Sequence, residues 1–309
     1  MAVARPVWAV VVLGLLAMVQ QSMQQSLRHH HADLAHAHET PAFAILVTST
    51  NAEKALNDSG LFVPTSYIDL FGRRFVTGTI HGANVVYVRT STNPSIHVAV
   101  TMQILADNFK LRGIINFGSA GATNETLSIG SVFVPSLITF SGTWEWLSMN
   151  SSYIGQLQFG QFNYPKNGEN LLGSVKYGLI DVYENGRLGV RQYIPDSQSW
   201  LRIASRIEEV DSADVVIGLK SSSSDIFVNN PAYREFLYKT FGVSTVDTSS
   251  AAVGLAAKSY GLDFIVFRGV SNYAGAGDSA QSASELANAN AVKAVTRFIW
   301  LATVPRSGI

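Results

Sequence analysis

The chain has 309 residues, of which 47% are hydrophobic and 14% are charged, so it can bury a large core and extensive disorder is excluded. Its 22 basic residues balance 22 acidic ones, which excludes the basic surface typical of nucleic-acid binding and favours a small neutral or zwitterionic ligand. The absence of cysteine excludes disulfides, thiolate metal sites and a cysteine nucleophile.

The first 26 residues have the layout of a secretory signal peptide. Arg5 precedes an uninterrupted apolar run over residues 7–19, and polar residues follow as far as residue 26. The run is shorter than the roughly 20 residues that a transmembrane helix needs, so a signal anchor is the less favoured alternative. We expect entry into the secretory pathway, an extracellular or vacuolar destination, and no membrane attachment once residues 1–26 are removed.

Residues 27–41 form a polar segment between the signal and the folded domain, which we expect to span residues 42–305. Five of the seven histidines lie in this segment: His29, His30, His31, His36 and His38. Clustered imidazoles can hold a metal ion loosely, but no neighbouring residues would fix a coordination geometry. We therefore interpret residues 27–41 as a linker and predict no metal site.

The first part of the domain is rich in short strand patterns. Compact apolar runs and alternating patterns, bounded by glycine, asparagine and proline, indicate strands rather than helices. Two of these strands meet around Gly82 and suggest a hairpin. The predicted strands are residues 43–47, 75–80, 84–89 and 131–135, and the predicted helix is residues 97–109.

The apolar run of residues 113–117 ends abruptly in Gly118-Ser119-Ala120-Gly121. The run is too short for a helix and predicts a buried strand that leaves the sheet in a tight turn, at the edge where α/β sheets bind ligands. Ser119 and Gly121 carry small side chains or none, so backbone N–H groups and a hydroxyl can approach a small polar ligand. Taken alone, such a glycine pair more commonly marks a plain turn.

Residues 144–200 lack a sustained period and are rich in aromatic residues, glycine and asparagine. We interpret this region as an insertion or lid over a pocket. Its aromatic side chains can stack on carbohydrate or fill a small satellite core, and the second use is the commoner one.

The rest of the chain alternates between strands and helices. This alternation predicts a mostly parallel central sheet with helices on both faces. The predicted strands are residues 214–219, 243–246 and 264–270, and the predicted helices are residues 250–260 and 283–301.

Three stretches of the second half follow Gly118-Ser119-Ala120-Gly121 in a specific order. They are Asp225-Ile226-Phe227-Val228, Val246-Asp247-Thr248-Ser249-Ser250 and Phe267-Arg268-Gly269-Val270-Ser271-Asn272. Through this ordered set, residues 43–303 resemble the nucleoside phosphorylase and methylthioadenosine nucleosidase superfamily. Three further stretches are similar to the plant secreted proteins that include bark storage proteins: Gly142-Thr143-Trp144-Glu145-Trp146, residues 229–237 and residues 274–279.

The resemblance implies a three-layer α/β sandwich with a twisted, partly closed mixed central sheet. It also implies a homo-oligomer that uses no cofactor and binds a small-molecule nucleoside or free base, whose N-glycosidic bond is split by water or by phosphate. By position, Phe227 matches the ring that stacks on the base, and Arg268 matches the arginine preceding the leaving-group residue. The substrate-binding positions implied in this way are Ser119, Ala120, Gly121, Phe227, Asp247 and Thr248.

The chain departs from the superfamily at two catalytic positions. Ser249 stands where nucleosidases carry a glutamate that grips the ribose hydroxyls, so a charged hydrogen bond worth about 1.5 to 3 kcal/mol is missing. Asn272 stands where an aspartate is usual, and an amide can hydrogen-bond a purine nitrogen but cannot deliver a proton to it. Trimeric purine nucleoside phosphorylases also place an asparagine against the base.

Two further departures concern the nucleophile. The loop that supplies a water-activating glutamate in nucleosidases contains Asn51 here, and Glu53 is predicted to begin a helix. Asn116 occupies the position of the phosphate-binding arginine of hexameric phosphorylases, as it does in nucleosidases. Hydrolysis is therefore expected in preference to phosphorolysis, unless Arg89 or another cation reaches the site.

Two hypotheses follow for the function. The first is an N-ribosyl hydrolase or phosphorylase of weakened chemistry acting on purine nucleosides in the secretory pathway. The second is an inactive storage or nucleoside-binding protein of the bark storage protein type. A dinucleotide-binding Rossmann enzyme ranks third, because no Gly-x-Gly-x-x-Gly motif follows a strand.

Overall fold

The computed structural model describes residues 40–91, 95–146, 157–158, 174–184, 186–276 and 283–304. The predicted signal peptide, the five clustered histidines and parts of the predicted insertion lie outside these ranges. Within them, no helix is both long enough and apolar enough to cross a membrane.

The described part of the chain contains many short strands and six helices. In chain order the strands are β1 (Ala42–Val47), β2 (Phe62–Leu70), β3 (Arg73–Ile80), β4 (Ala83–Arg89), β5 (Leu111–Ala122), β6 (Val132–Val134), β7 (Leu137–Phe140), β8 (Trp144–Trp146), β9 (Leu157–Gln158), β10 (Ser174–Tyr177), β11 (Ile180–Glu184), β12 (Arg187–Arg191), β13 (Tyr193–Pro195), β14 (Glu209–Val210), β15 (Ala213–Ile217), β16 (Lys220–Ser223), β17 (Val243–Asp247) and β18 (Phe264–Tyr273). The helices are α1 (Thr50–Asp58), α2 (Ile96–Asn108), α3 (Gln198–Ala204), α4 (Pro231–Phe241), α5 (Ser250–Ser259) and α6 (Ser284–Thr303).

A 13-stranded mixed sheet forms the centre of the fold. Its main path runs in the order β13-β7-β16-β17-β5-β1-β4-β3-β2, and β18 pairs with both β5 and β6. Strands β1, β4, β5 and β18 are parallel, whereas β2, β3 and β4 form antiparallel hairpins and β17 runs antiparallel to β5. The expectation of a mostly parallel sheet is therefore wrong, and the mixed sheet implied by the family resemblance is confirmed.

Helices cover the sheet on both faces. On β1, the side chains of Phe43, Ile45 and Val47 belong to one buried cluster, whereas Ala44 and Leu46 belong to another. This alternation follows from the strand period of two, and it explains why the buried strand reads as a continuous apolar run. Helices α3 and α6 contribute to the first cluster, and α2 and α5 contribute to the second, which gives the three layers.

The glycine-rich stretch after residue 117 does not leave the sheet. Strand β5 continues to Ala122, and Gly118 and Ser119 pair with Arg268 and Gly269 of β18. The predicted tight turn is therefore wrong. The two glycines instead allow Arg268 and Ala274 to pack closely against β5. A Cβ on Gly118 would lie 2.8 Å from Nη1 of Arg268, and one on Gly121 would lie 3.1 Å from Cβ of Ala274.

The described pieces of the aromatic-rich insertion build a small core beside helix α4. Tyr177 of β10 stacks against Trp144 of β8, with ring centroids 6.1 Å apart, and its edge meets Phe241 at 4.8 Å. Tyr177 also packs against a buried cluster that includes Phe236 and Leu237. For these residues the satellite-core interpretation holds. The segment 159–165 lies outside the described residues.

Candidate functional site

A cavity of about 270 Å³ opens where several central strands end. Its walls come from the loop after β1, the second half of β5, the loop after β16, the end of β17 and the second half of β18. The lining residues are Thr48, Ser49, Gly118, Ser119, Ala120, Gly121, Ile226, Phe227, Val228, Val246, Asp247, Thr248, Ser249, Arg268, Ser271, Asn272 and Ala274. Stretches far apart in the chain thus meet at one edge of the sheet, where α/β folds bind their ligands.

One wall of the cavity is built around a buried ion pair. Arg268 on β18 and Asp247 at the end of β17 approach to 3.3 Å, and both side chains are only 2% exposed. Burial lowers the pKa of Arg268, and the Asp247 carboxylate opposes that shift. A buried charge of this kind persists only when its partners satisfy it.

The partners of Asp247 are supplied by the start of helix α5. Its Oδ1 accepts hydrogen bonds from the backbone N–H groups of Ser249 and Ser250, each at 2.8 Å. Its Oδ2 accepts one from the Ser250 hydroxyl at 2.6 Å. These amides carry the positive end of the helix dipole, so the sequence Asp-Thr-Ser-Ser places a carboxylate where it is best stabilised.

The Arg268 guanidinium is held by the same residues and by one more. Nε donates to the Ser250 hydroxyl at 3.1 Å, and Nη2 donates to the Ser249 hydroxyl at 2.7 Å and to Asn116 Oδ1. Asn116 is fully buried and donates to the Leu46 carbonyl at 2.9 Å, so it lies behind the wall rather than in the cavity lining. We refer to Arg268, Asp247, Ser249, Ser250 and Asn116 as the arginine network.

A second part of the lining, which we call the base wall after the predicted role of Phe227, consists of the Phe227 ring and the Asn272 amide. Phe227 is 79% exposed although it is a large apolar side chain, and it lines the cavity from the loop after β16. On β18, Oδ1 of Asn272 accepts from the Ser271 hydroxyl at 2.7 Å, and its Nδ2 donates to the Tyr273 carbonyl at 3.0 Å. These bonds fix the orientation of the amide and leave one of its two N–H groups for a ligand.

Three further donors line the cavity without a partner in the described residues. The hydroxyls of Thr48 and Ser119 form no hydrogen bond there, and neither does Nη1 of Arg268, which faces Gly118. Together with the remaining N–H of Asn272, these groups are what the cavity offers to a polar ligand. All of them are neutral except the arginine, whose charge Asp247 balances.

The structure brings together nine of the eleven residues predicted for the site and leaves two aside. Asn51 does not line the cavity, because it lies in the first turn of α1 and donates to the Ser284 hydroxyl at 3.1 Å. The second is the buried Asn116. The predicted residues that line the cavity are Ser119, Ala120, Gly121, Phe227, Asp247, Thr248, Ser249, Arg268 and Asn272.

Two charged residues considered for the site are engaged elsewhere. Glu53 lies in the first turn of α1, as expected, and accepts a hydrogen bond from the Tyr87 hydroxyl at 2.7 Å. Its other oxygen lies 2.5 Å from Nε of Arg89. Neither Glu53 nor Arg89 lines the cavity.

Sequence reasoning missed several lining residues. Thr48 and Ser49 lie in the loop between β1 and Asn51, of which only Asn51 was predicted to belong to the site. Of the apolar lining residues, Ile226 and Val228 lie within a recognised motif and Ala274 lies two residues beyond another, so their place in the sequence was the available signal.

Comparisons with known proteins agree on the family. The sequence model of the phosphorylase superfamily matches residues 42–303. Bark storage protein A of Populus deltoides is 40% identical over 310 residues, which cover 94% of this chain and 99% of that protein. The 5'-methylthioadenosine/S-adenosylhomocysteine nucleosidase of Listeria innocua is 25% identical over 232 residues, covering 75% of this chain and 81% of that protein.

Solved structures agree on the fold. Futalosine hydrolase of Helicobacter pylori aligns with a TM-score of 0.61 at 17% identity, over 84% of this chain and 97% of that one. The nucleosidase of Streptococcus pneumoniae with a transition-state inhibitor aligns with a TM-score of 0.62 at 19% identity, over 84% and 98% of the two chains. With the family model covering most of the chain and a 40% identical relative matched almost end to end, this protein belongs to the phosphorylase superfamily.

Proposed function

We propose that this protein binds a purine nucleoside in the cavity beside Phe227 and slowly hydrolyses its N-glycosidic bond in the secretory pathway. The observation that carries the proposal is that Ser119, Phe227 and Asn272 line the same cavity. An exposed aromatic ring in the lining of a small, partly apolar cavity that also holds a few polar groups suits a flat base attached to a sugar. Several relatives are named as nucleosidases, which supports the same ligand class.

Each wall has a role in the proposed reaction. The base stacks on Phe227, and the remaining N–H of Asn272 donates to a ring nitrogen or oxygen of the base. The hydroxyls of Thr48 and Ser119 bind the sugar or the attacking water. The C1'–N bond breaks with its electron pair passing to the base, and water adds to C1' and releases a proton to solvent. The base takes up one proton from solvent and leaves as the free purine.

Slow turnover is expected because the Ser249 hydroxyl is already bonded to Arg268 and the Asn272 amide is neutral. Ser249 is 1% exposed and its hydroxyl is committed to Arg268, so it is a poor substitute for a carboxylate grip on the ribose. Asn272 has no proton to give to the leaving base. General acid catalysis typically contributes about 10² to 10⁴ in rate, so losing it leaves a slow enzyme.

Water is favoured over phosphate as the nucleophile. Within the described lining, Arg268 is the only cation, and it already faces Asp247. Asn116 brings no charge, and Arg89 is paired with Glu53. A phosphate dianion in this cavity would lack the arginine fork that normally holds it.

Incubation of the purified protein with a panel of nucleosides, with and without phosphate, tests the proposal. We expect slow release of free purine at a rate independent of phosphate. Phosphate-dependent release that yields ribose 1-phosphate contradicts the hydrolytic mechanism.

A second candidate is an inactive storage or nucleoside-binding protein. The 40% identity to two bark storage proteins of Populus deltoides favours it. Calorimetric binding of nucleosides without any release of base would support nucleoside binding without turnover, and a lack of both binding and release would support storage alone.

A further inference from the structure

The described lining of the cavity contains a hydrogen-bond donor, Asn272, at the predicted leaving-group position but no acid that is free to act. Asn272 is held by Ser271 and by the Tyr273 carbonyl, so its amide can only stabilise a lone pair that already exists on the base. Among the described lining residues Asp247 is the only carboxylate. Both of its oxygens are occupied by Ser249, Ser250 and Arg268.

Other described carboxylates near this edge are also engaged away from the cavity. Asp225, next to the Phe227 loop, accepts hydrogen bonds from the backbone N–H and the hydroxyl of Ser95, at 2.6 and 3.1 Å, and does not line the cavity. Glu53 is held by Tyr87 and Arg89. Among the described residues, no carboxylate is therefore free to give the leaving base a proton.

A base that carries a positive charge needs no proton. When the C1'–N bond of a cationic N-riboside breaks, the electron pair passes to the ring nitrogen and neutralises the ring, so the base leaves as a neutral molecule. Water adds to C1' and releases one proton to solvent, which balances the reaction. Cationic leaving groups thus bypass the step that Asn272 cannot perform.

The exposed face of Phe227 favours the same class of ligand. An aromatic ring attracts a cation placed over its face through its quadrupole, and this attraction adds to stacking. The positive charge of Arg268 does not oppose such a ligand strongly, because Asp247 lies 3.3 Å from it and compensates it.

Building on the proposed function, we propose that the preferred substrates of this cavity are N-ribosides whose base is already cationic, such as N7-alkylated purine ribosides or pyridinium ribosides. Neutral purine nucleosides bind in the same place but release their base slowly. The distinction lies in the leaving group and not in the sugar.

Comparison of guanosine with 7-methylguanosine tests this inference, because the two differ by one methyl group and one charge. We expect kcat/KM for 7-methylguanosine to exceed that for guanosine by roughly 100-fold or more, the typical contribution of a general acid. A pyridinium riboside serves as a second cationic substrate without a methyl group near Asn272, and we expect it to be cleaved as well.

Variants at Asn272 separate the missing acid from the greater intrinsic reactivity of a cationic substrate. Asn272→Asp supplies a carboxyl group of nearly the same shape, so the ratio of the two kcat/KM values should fall at least tenfold through faster release of guanine. Asn272→Ala is the matched control, since it removes the amide without adding an acid, and its ratio should stay high. Thermal melting establishes that both variants fold.

Three outcomes overturn the inference. Guanosine cleaved by the native protein as fast as 7-methylguanosine would mean that an acid is present. A ratio unchanged in Asn272→Asp would mean that this position does not limit release. Calorimetric binding of all three nucleosides without release from either cationic one would exclude the substrate class while leaving nucleoside binding intact, whereas absence of binding would reject the proposed function itself.

Discussion

The two walls of the cavity differ in whether their polar groups are bonded within the protein or remain available to a ligand. In the arginine network, Asp247, Ser249, Ser250 and Asn116 bond to one another or to Arg268, and little is left for a ligand except Nη1 of the arginine. On the base wall, Phe227 is 79% exposed and Asn272 keeps one N–H free. The first wall resembles a protein core that happens to border a cavity, whereas the second resembles a binding surface.

The difference shows what a short, neutral side chain at position 249 does to this wall. Ser249 is short and neutral, and its hydroxyl turns inward to the guanidinium at 2.7 Å. A buried arginine needs hydrogen-bond acceptors, and the side chains of this wall supply them to Arg268 instead of facing a ligand. Variants of this wall should therefore change folding stability, whereas variants of the base wall should change ligand binding.

Replacement of Arg268 by methionine should have the largest effect. It leaves the buried Asp247 charge without its partner, and breaking a buried ion pair from one side costs about 3 to 5 kcal/mol of unfolding free energy. Urea denaturation measures this loss. The double variant Arg268→Met/Asp247→Asn should recover much of it, because no unpaired charge remains, and a loss below about 1 kcal/mol in the single variant would contradict the satisfied-network interpretation.

A second buried aspartate, Asp196, sharpens the comparison, because it accepts fewer hydrogen bonds than Asp247 in the described residues. Asp196 is 1% exposed, its Oδ2 accepts only from the Val266 N–H at 3.2 Å, and its Oδ1 has no partner in the described residues. Burial raises the pKa of Asp196 well above its ordinary value, an effect that the Val266 N–H only partly offsets.

The raised pKa of Asp196 determines the direction in which the free energy of unfolding changes with pH. The stability contributed by protonated Asp196 is fully present below its unfolded pKa of about 4 and is lost as pH rises through its folded pKa, by at most about 1.4 kcal/mol per pH unit. Asp196→Asn should remove this slope in urea denaturation between pH 4 and pH 8. The exposed Asp263→Asn is the control, and parallel profiles for the native protein and Asp196→Asn would contradict the assignment.

Acidic side chains at positions 249 and 272 should raise the hydrolytic activity. We expect Ser249→Glu combined with Asn272→Asp to increase hydrolytic base release at least tenfold, or about 1.4 kcal/mol, because the pair restores a ribose anchor and a proton donor. The single variants show how each residue contributes. A double variant that binds nucleoside but stays inert would point to the missing glutamate of the loop near Asn51.

Truncation of the exposed ring should have the smallest effect and should act on binding alone. Phe227→Ala is expected to weaken the affinity for a nucleoside or base by roughly 1 kcal/mol, since stacking is lost while folding is little changed. Isothermal calorimetry measures the affinity. Phe71→Ala, at a similarly exposed phenylalanine on the turn between β2 and β3, is the matched control. Equal affinities for the native protein and Phe227→Ala would remove Phe227 from the site.

Much of this arrangement was predictable because it depends on local patterns. The apolar run of β1, the helix that begins beside Asp247 and the strand of Arg268 are visible in the sequence, since buried strands and helix starts have their own residue preferences. The ordered motifs also indicated the family and most of the residues that line the cavity.

The tertiary structure decided what the small and polar residues of those motifs do. Gly118 continues a strand instead of turning, because it pairs with Arg268 of β18, and the guanidinium of Arg268 leaves no room for a side chain at position 118. Ser249 faces inward because a fully buried guanidinium needs acceptors, and Asn116 serves that guanidinium from behind the wall. Each of these outcomes depends on a residue more than 15 positions away, so a local sequence pattern cannot predict it. Hydrophobic periodicity, in contrast, depends only on neighbouring residues and can be recognised in the sequence.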